Sequence, residues 1–230
     1  MTDTDRLQQA IDYQFDRTDL LDIALTHRSA RGINNERLEF LGDSILGMVI
    51  AENLFQRFGD ASEGQLSRAR ASIVKGATLA RVSRMLSIGD YLKLGSGELK
   101  SGGFDRDSII ADAVEALIGA IYLDSNFDIV RKVILRWFAV ELATADPASV
   151  SKDSKTRLQE LLQSQGLELP SYDVIEIEGA SHNRTFVIDC HIAGYPKAFR
   201  GEGTSKRKAE QNAAQRALEM IGTSLSISTV

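Results

Sequence analysis

Apolar residues recur every three or four positions through most of the first 145 residues, most clearly in 45–58, 66–86 and 108–123. That period is the mark of helices with one face buried. "SEGQ" at 62–65 has the form of a capping box, with Ser62 as the cap and Gln65 three positions on. Glycines punctuate the loops, notably in "KLGSGELKSGG" at 93–103. Little strand pattern is present, so residues 1–145 are expected to form an all-α domain. "ATADPASVSKD" then has a linker composition, and 146–152 is taken as the linker. Beyond it the texture changes. A helix-like stretch at 154–165 precedes the alternating runs "YDVIEIE" and "FVIDCHI", a turn at "AGYP" and a short third strand, "KAFRGEG". The second run puts Phe186, Ile188, Cys190 and Ile192 on one face. A helical period returns at 205–221, with Ala209, Ala213, Ala217 and Ile221 in line. The order α-β-β-β-α over 153–222 predicts a small α+β domain, an antiparallel sheet with two helices on one face. Residues 223–230 are expected to fray.

The charged positions within these helices change the picture. In "NNERLEFLGDSIL" a turn of about 100° per residue puts Glu36, Glu39 and Asp43 in one stripe, with Leu38, Leu41 and Ile45 opposite. Stacked like charges repel. A second pair, Asp112 and Glu115, lies within the most apolar stretch, "SIIADAVEALIGAIYL", where unpartnered carboxylates are unfavourable. Hard oxygen donors on two facing helices suit Mg²⁺ or Mn²⁺. A solvated acidic face is the competing explanation, and spacing alone does not separate the two. The three histidines are too scattered for a zinc set, and no Walker-type phosphate loop is present.

Net charge is −5, which by itself argues against a nucleic-acid partner. The distribution qualifies this. Residues 1–151 hold 17 Lys and Arg against 22 Asp and Glu, whereas 153–222 hold 9 against 10 and cluster their cations in "GEGTSKRK" at 201–208. Two glycines there allow close backbone approach, and Ser205 can cap the next helix. Lys206, Arg207 and Lys208 crowd its first turn against the macrodipole, an arrangement that an arriving phosphate would relieve. On the first helix of this module, Leu158, Leu161 and Leu162 face inward. Thr156, Gln159, Glu160 and Gln163 form a donor and acceptor strip suited to a shallow RNA minor groove. His182, in "GASHNRTF", can enter a groove from its loop. Solvated charges and polar faces are the ordinary alternative for each of these features.

Other features bear on location. The single cysteine, Cys190, fits a reducing cytoplasm. The N-terminus lacks the basic start and apolar run of a signal peptide. "IIADAVEALIGAIYL" is too short and too charged to span a membrane.

These blocks together resemble the bacterial ribonuclease III family along nearly the whole chain. "NERLEFLGDSIL" is similar to its signature. "HRS" at 27–29, "EGQLS", "GG" at 102–103 and "SIIADAVEALIGAIYLD" follow its other blocks in order. "KDSKTRLQELLQ", "GASHNRTF" and "GEGTSKRKAEQNAA" resemble its double-stranded-RNA-binding domain. The resemblance implies a Mg²⁺-dependent endoribonuclease, with Mn²⁺ able to substitute. It would act on double-stranded RNA as a homodimer, without a membrane or a small-molecule cofactor. The implied products carry 5′-phosphate and 3′-hydroxyl ends, and the implied substrates are ribosomal RNA precursors and some mRNA and tRNA transcripts. It marks Glu39, Asp43, Asp112 and Glu115 as metal-binding, with Asp43 and Glu115 catalytic. Glu36 and Glu63 become accessory acids, and Phe40 a dimer contact. Thr156, Gln159, Glu160, Gln163, His182, Lys206 and Arg207 become RNA contacts. A non-cleaving double-stranded-RNA-binding regulator is the alternative.

Overall fold

A computed structural model describes residues 3–148, 153–179 and 184–227, with side chains through Ile221. The chain divides into two compact units, 1–150 and 151–230. The linker expected at 146–152 falls mostly on residues outside this description.

The first unit contains helices α1 (Asp3–Ile11), α2 (Thr18–Ala24), α3 (Glu36–Arg57), α4 (Glu63–Ile73), α5 (Gly76–Met85), α6 (Ser96–Lys100), α7 (Asp107–Asp124), α8 (Phe127–Trp137) and α9 (Ala139–Ala143). Short 3₁₀ turns lie at Ile88–Tyr91 and Gly103–Asp105. Helix α7 is central and packs against α2, α3, α5 and α8. It is apolar nearly all round, as a helix enclosed by others must be. Ile110, Val114, Leu117, Ile118 and Ile121 are all essentially inaccessible to water.

The crossing of α3 and α7 depends on two glycines. A methyl group at Gly42 would overlap the Glu115 carbonyl oxygen, and one at Gly119 would overlap the Leu38 carbonyl oxygen. The two backbones therefore approach more closely than any other residue pair would permit. Leu38 and Ile45 are buried on the core side of α3, and Leu41 is partly buried against that core.

The Ser62 capping box is present: Ser62 accepts from the Gln65 amide, and the Gln65 side chain accepts from the Ser62 amide. The segment 66–86, which reads as one periodic run, is two helices. Val74 ends α4, and Lys75 takes extended angles (φ −67°, ψ 149°) before α5. Gly76 weakens helix continuation here, and the break turns α5 onto α7.

The second unit contains α10 (Ser154–Ser164), β1 (Ser171–Glu178), β2 (Thr185–His191), β3 (Phe199–Gly203) and α11 (Lys206–Ile227). The sheet is antiparallel in the order β1-β2-β3. Ile188, Cys190 and Ile192 are buried with Leu158, Leu162, Ala213, Ala217 and Ile221. The expected alternation is imperfect. Phe186 is only half-buried, while Val187 and Asp189, from the other set, are buried. Asp189 tolerates this because Arg200, its cross-strand partner, binds both carboxylate oxygens at 2.8 and 2.9 Å. Helix α11 continues to Ile227, into the segment expected to fray from 223. No proline follows Gly222, and each residue added to an existing helix gains a backbone hydrogen bond. Residues 228–230 lie outside the description.

Replacing Gly119 with alanine should force α3 and α7 apart. The expected loss is about 1–3 kcal/mol of stability, read as a lower denaturation midpoint, with RNA cleavage reduced as well. An unchanged midpoint would show that the crossing tolerates a Cβ.

Candidate active site and nucleic-acid interface

Helix α3 contributes Glu39 and Asp43, which flank the contact glycine Gly42; α7 contributes Asp112, two turns before Gly119, and Glu115, one turn before it. The close crossing brings three of them together. One carboxylate oxygen from each of Glu39, Asp112 and Glu115 lies within 4.8 Å of the others, and all three side chains are half-buried. Asp43 is more exposed, yet it is the strongest charge acting on Glu115.

Burial, followed by the charges of Asp43, Glu39 and Asp112, pushes the Glu115 carboxyl up to about 8. Burial and then Asp112 raise Glu39; burial raises Asp112, with His27 and Arg28 opposing. Desolvated, mutually repelling carboxylates favour either protons or a cation. An all-oxygen donor set from two rigid helices fits a hard divalent metal.

Beside the cluster is a polar pocket of about 320 Å³ bounded by His27, Arg28, Asn35, Glu39, Arg106 and Asp112. Glu36 is also on its wall, paired with Arg28 at 3.7 Å. Glu63 is elsewhere, in the first turn of α4, where it accepts from Ser67 at 2.6 Å. It does not join the converging carboxylates.

Phe40 projects from α3 with 77% of its surface exposed, and Ile33, in the loop before α3, is equally exposed. Both border an apolar groove of about 690 Å³ that includes Leu20, Ile23 and Leu123.

In the second unit, Thr156, Gln159, Glu160 and Gln163 are exposed along α10, opposite its buried leucines. Asp153 caps α10 through the Thr156 amide at 2.9 Å and accepts from Gln211 of α11, also at 2.9 Å. Its carboxyl is lowered first by the Gln211 bond, and the Arg207 charge adds to this. The starts of α10 and α11 are thereby tied together. Lys206 and Arg207 are exposed in the first turn of α11, and Ser205 caps that turn through the Lys208 amide. The close approach permitted by Gly201 and Gly203 is to α11 itself: a methyl at either would collide with the backbone around Ala209 and Ala213. His182 lies outside the described residues.

The periodic pattern gave no sign of Asn35, Arg28 or Arg106, because all three sit at helix starts or in loops. "HRS" at 27–29 was the one local hint of this wall.

An all-α unit with converging carboxylates is thus followed by an α-β-β-β-α unit that presents a polar helix face and a basic helix start. Residues 17–142 match the Ribonuclease-III-like family, and residues 154–221 match the double-stranded RNA binding motif. Ribonuclease 3 of Vibrio atlanticus is 56% identical over 217 residues, covering 94% of this chain and 96% of that protein. Ribonuclease 3 of Idiomarina loihiensis is 55% identical, with 94% of each chain covered. The crystal structure of the nuclease domain of ribonuclease III from Campylobacter jejuni aligns with a TM-score of 0.60 at 39% identity, over 64% of this chain and 100% of that one. The chain belongs to the ribonuclease III family. Among the described residues, no helix is long and apolar enough to cross a membrane.

The raised Glu115 carboxyl makes metal-free stability depend on pH. Between 4.5, its ordinary value, and about 8, the unfolded chain has released this proton while the native chain keeps it. Its contribution therefore disfavours the native state increasingly as pH rises through that window. Melting of the metal-free protein should fall from pH 5 to pH 8, and Mn²⁺ should reverse the fall. A Glu115→Gln variant should show a flatter profile; an identical slope in that variant would exclude Glu115 as the source.

Proposed function

We propose that this chain is a metal-dependent endoribonuclease that hydrolyses phosphodiester bonds of double-stranded RNA. The observation that carries the reading is the convergence of Glu39, Asp112 and Glu115 from two helices, half-buried and mutually repelling. Glu39, Asp43, Asp112 and Glu115 are assigned as the metal-binding set, with Asp43 and Glu115 as the catalytic pair. The hard oxygen donors favour Mg²⁺, with Mn²⁺ as a substitute. A bound cation there supplies a water of lowered pKa and offsets charge on the phosphate. The protein side chains hold the donors rigid, and Glu36 adds negative charge at the rim. Glu63 is assigned the same accessory role, although its position in α4 does not itself support this. The products are assigned 5′-phosphate and 3′-hydroxyl ends. Ribosomal RNA precursors, with some mRNA and tRNA transcripts, are the assigned substrates in the cytoplasm.

The second unit supplies duplex affinity. Thr156, Gln159, Glu160 and Gln163 present donors and acceptors to 2′-hydroxyls, while Lys206 and Arg207 meet phosphates at a helix start. His182 is assigned to the same interface. A duplex has two strands and each chain one acid cluster, so a two-fold dimer places one cluster at each strand. Exposed Phe40 and Ile33 beside the apolar groove support that reading. So does a relative: a structure of the Campylobacter jejuni nuclease domain, 39% identical with a TM-score of 0.59, is described for flexibility in a region involved in dimer formation.

The decisive measurement is a labelled-duplex assay with Glu115→Gln, which keeps the shape and removes the charge. Cleavage in Mg²⁺ should fall on the order of a hundredfold or more, with duplex binding in Ca²⁺ retained. Normal cleavage would sink the acid assignment. Replacing Lys206 and Arg207 together with alanine should weaken binding and make the log–log salt slope shallower by roughly 1.8. An unchanged slope would remove these two residues from the interface.

A further inference from the structure

Asn35 immediately precedes α3, where asparagine is favoured because its side chain can cap the first free amides. Here that explanation fails. Asn35 takes helical angles (φ −82°, ψ −10°), and its side chain makes no capping hydrogen bond. The backbone is nonetheless pinned on both sides. Its N–H donates to the Thr26 carbonyl at 2.9 Å, and its C=O accepts from the Glu39 amide at 2.9 Å. The residue is only 2% exposed, and its side-chain Nδ2 has no hydrogen-bond partner among the described residues. Native folds seldom retain a buried donor in that state without a use for it.

Asn35 is among the residues that line the polar pocket, together with Glu39 and Asp112, two of the three converging carboxylates. The neighbouring cations are already engaged. Arg28 pairs with Glu36, and Arg106 binds Glu98 at 2.8 Å and Ser101 at 2.9 Å. Among the described residues lining this pocket, the buried side-chain donor without a partner is Asn35 Nδ2. What it lacks is an acceptor oxygen, and the pocket adjoins the place where a hydrated cation or a phosphate would bring one.

We infer that Asn35 is a positioning residue of the active site, its side-chain NH₂ donating to an oxygen that enters this pocket with the metal. That oxygen belongs either to a metal-bound water or to an RNA phosphate, and the shared chemistry is an anionic or metal-polarised acceptor. The inference rests on the assignment of Glu39, Asp112 and Glu115 as metal ligands. Asn35 acts through the oxygen it orients and contributes no charge of its own, so its removal leaves the carboxylates in place.

The test uses the full chain with Asn35→Ala and with Asn35→Leu, which fills a similar volume without a donor. Mn²⁺ binding is measured by calorimetry without RNA, and duplex affinity is measured with and without Ca²⁺. A 10- to 100-fold loss of Mn²⁺ affinity, the range typical of residues that orient metal ligands, identifies the acceptor as water. Normal Mn²⁺ affinity with loss of the Ca²⁺-dependent gain in duplex binding identifies it as phosphate. Because the alanine variant removes an unsatisfied donor, metal-free melting should not fall. Lower melting with both affinities unchanged would mean a purely structural role and would overturn the inference, as would no change in any reading. Glu115→Gln run in parallel separates the two levels. If it also binds Mn²⁺ normally, the acid assignment fails and this inference with it. If it loses Mn²⁺ while both Asn35 variants retain both affinities, only the inference fails.

Discussion

Two glycine-to-backbone contacts set the geometry on which the carboxylate cluster depends. Gly42 lies against the Glu115 carbonyl and Gly119 against the Leu38 carbonyl, with no room for a side chain at either point. The acids are neighbours of these contacts in sequence: Glu39 and Asp43 bracket Gly42, and Glu115 precedes Gly119 by one turn. Close packing and chemical convergence are thus one arrangement. Any residue that separates α3 from α7 also separates the carboxylates.

That arrangement carries an electrostatic penalty. Glu39, Asp112 and Glu115 are half-buried, and all three carboxyls are raised above their ordinary range, first by burial. His27 and Arg28 oppose the rise at Asp112, and Arg28 also opposes it at Glu39. A carboxylate cluster built this way is relieved either by protonation or by a hard divalent cation. Desolvation does not exclude the solvent path, because the polar pocket remains open beside the cluster.

Division into two units also accounts for an acidic protein that binds a polyanion. The carboxylates belong to the α-helical unit, and the exposed Lys206 and Arg207 to the small sheet unit. In the latter, a compact core of Leu158, Leu162, Ile188, Cys190 and the α11 alanines supports the outward polar face of α10. The Asp153–Gln211 bond fixes the start of α10 against α11, so the two helices share one rigid base.

Much of this was legible in the sequence, and the reason is periodicity. Spacing of three and four placed Glu36, Glu39 and Asp43 in a stripe, identified Asp112 and Glu115 as misplaced in an apolar helix, and set Ala209, Ala213, Ala217 and Ile221 in the core. Strand alternation located β2, and the Ser62 and Gln65 box was readable because capping is local. Periodicity failed where a non-local partner decided the outcome. It joined 66–86 across a helix break and left Asp189 outside the core because its burial needs Arg200; the grouping of Glu63 with the other acids came from the family resemblance, not from periodicity. It also passed over Asn35, whose buried, unsatisfied carboxamide is visible only once Thr26, Glu39 and Asp112 are folded around it. The sequence by itself determined which residues carry charge on which helix face. Only the tertiary structure decided which faces meet, because the distance between α3 and α7 is set by backbone atoms at two glycines rather than by any side-chain pattern.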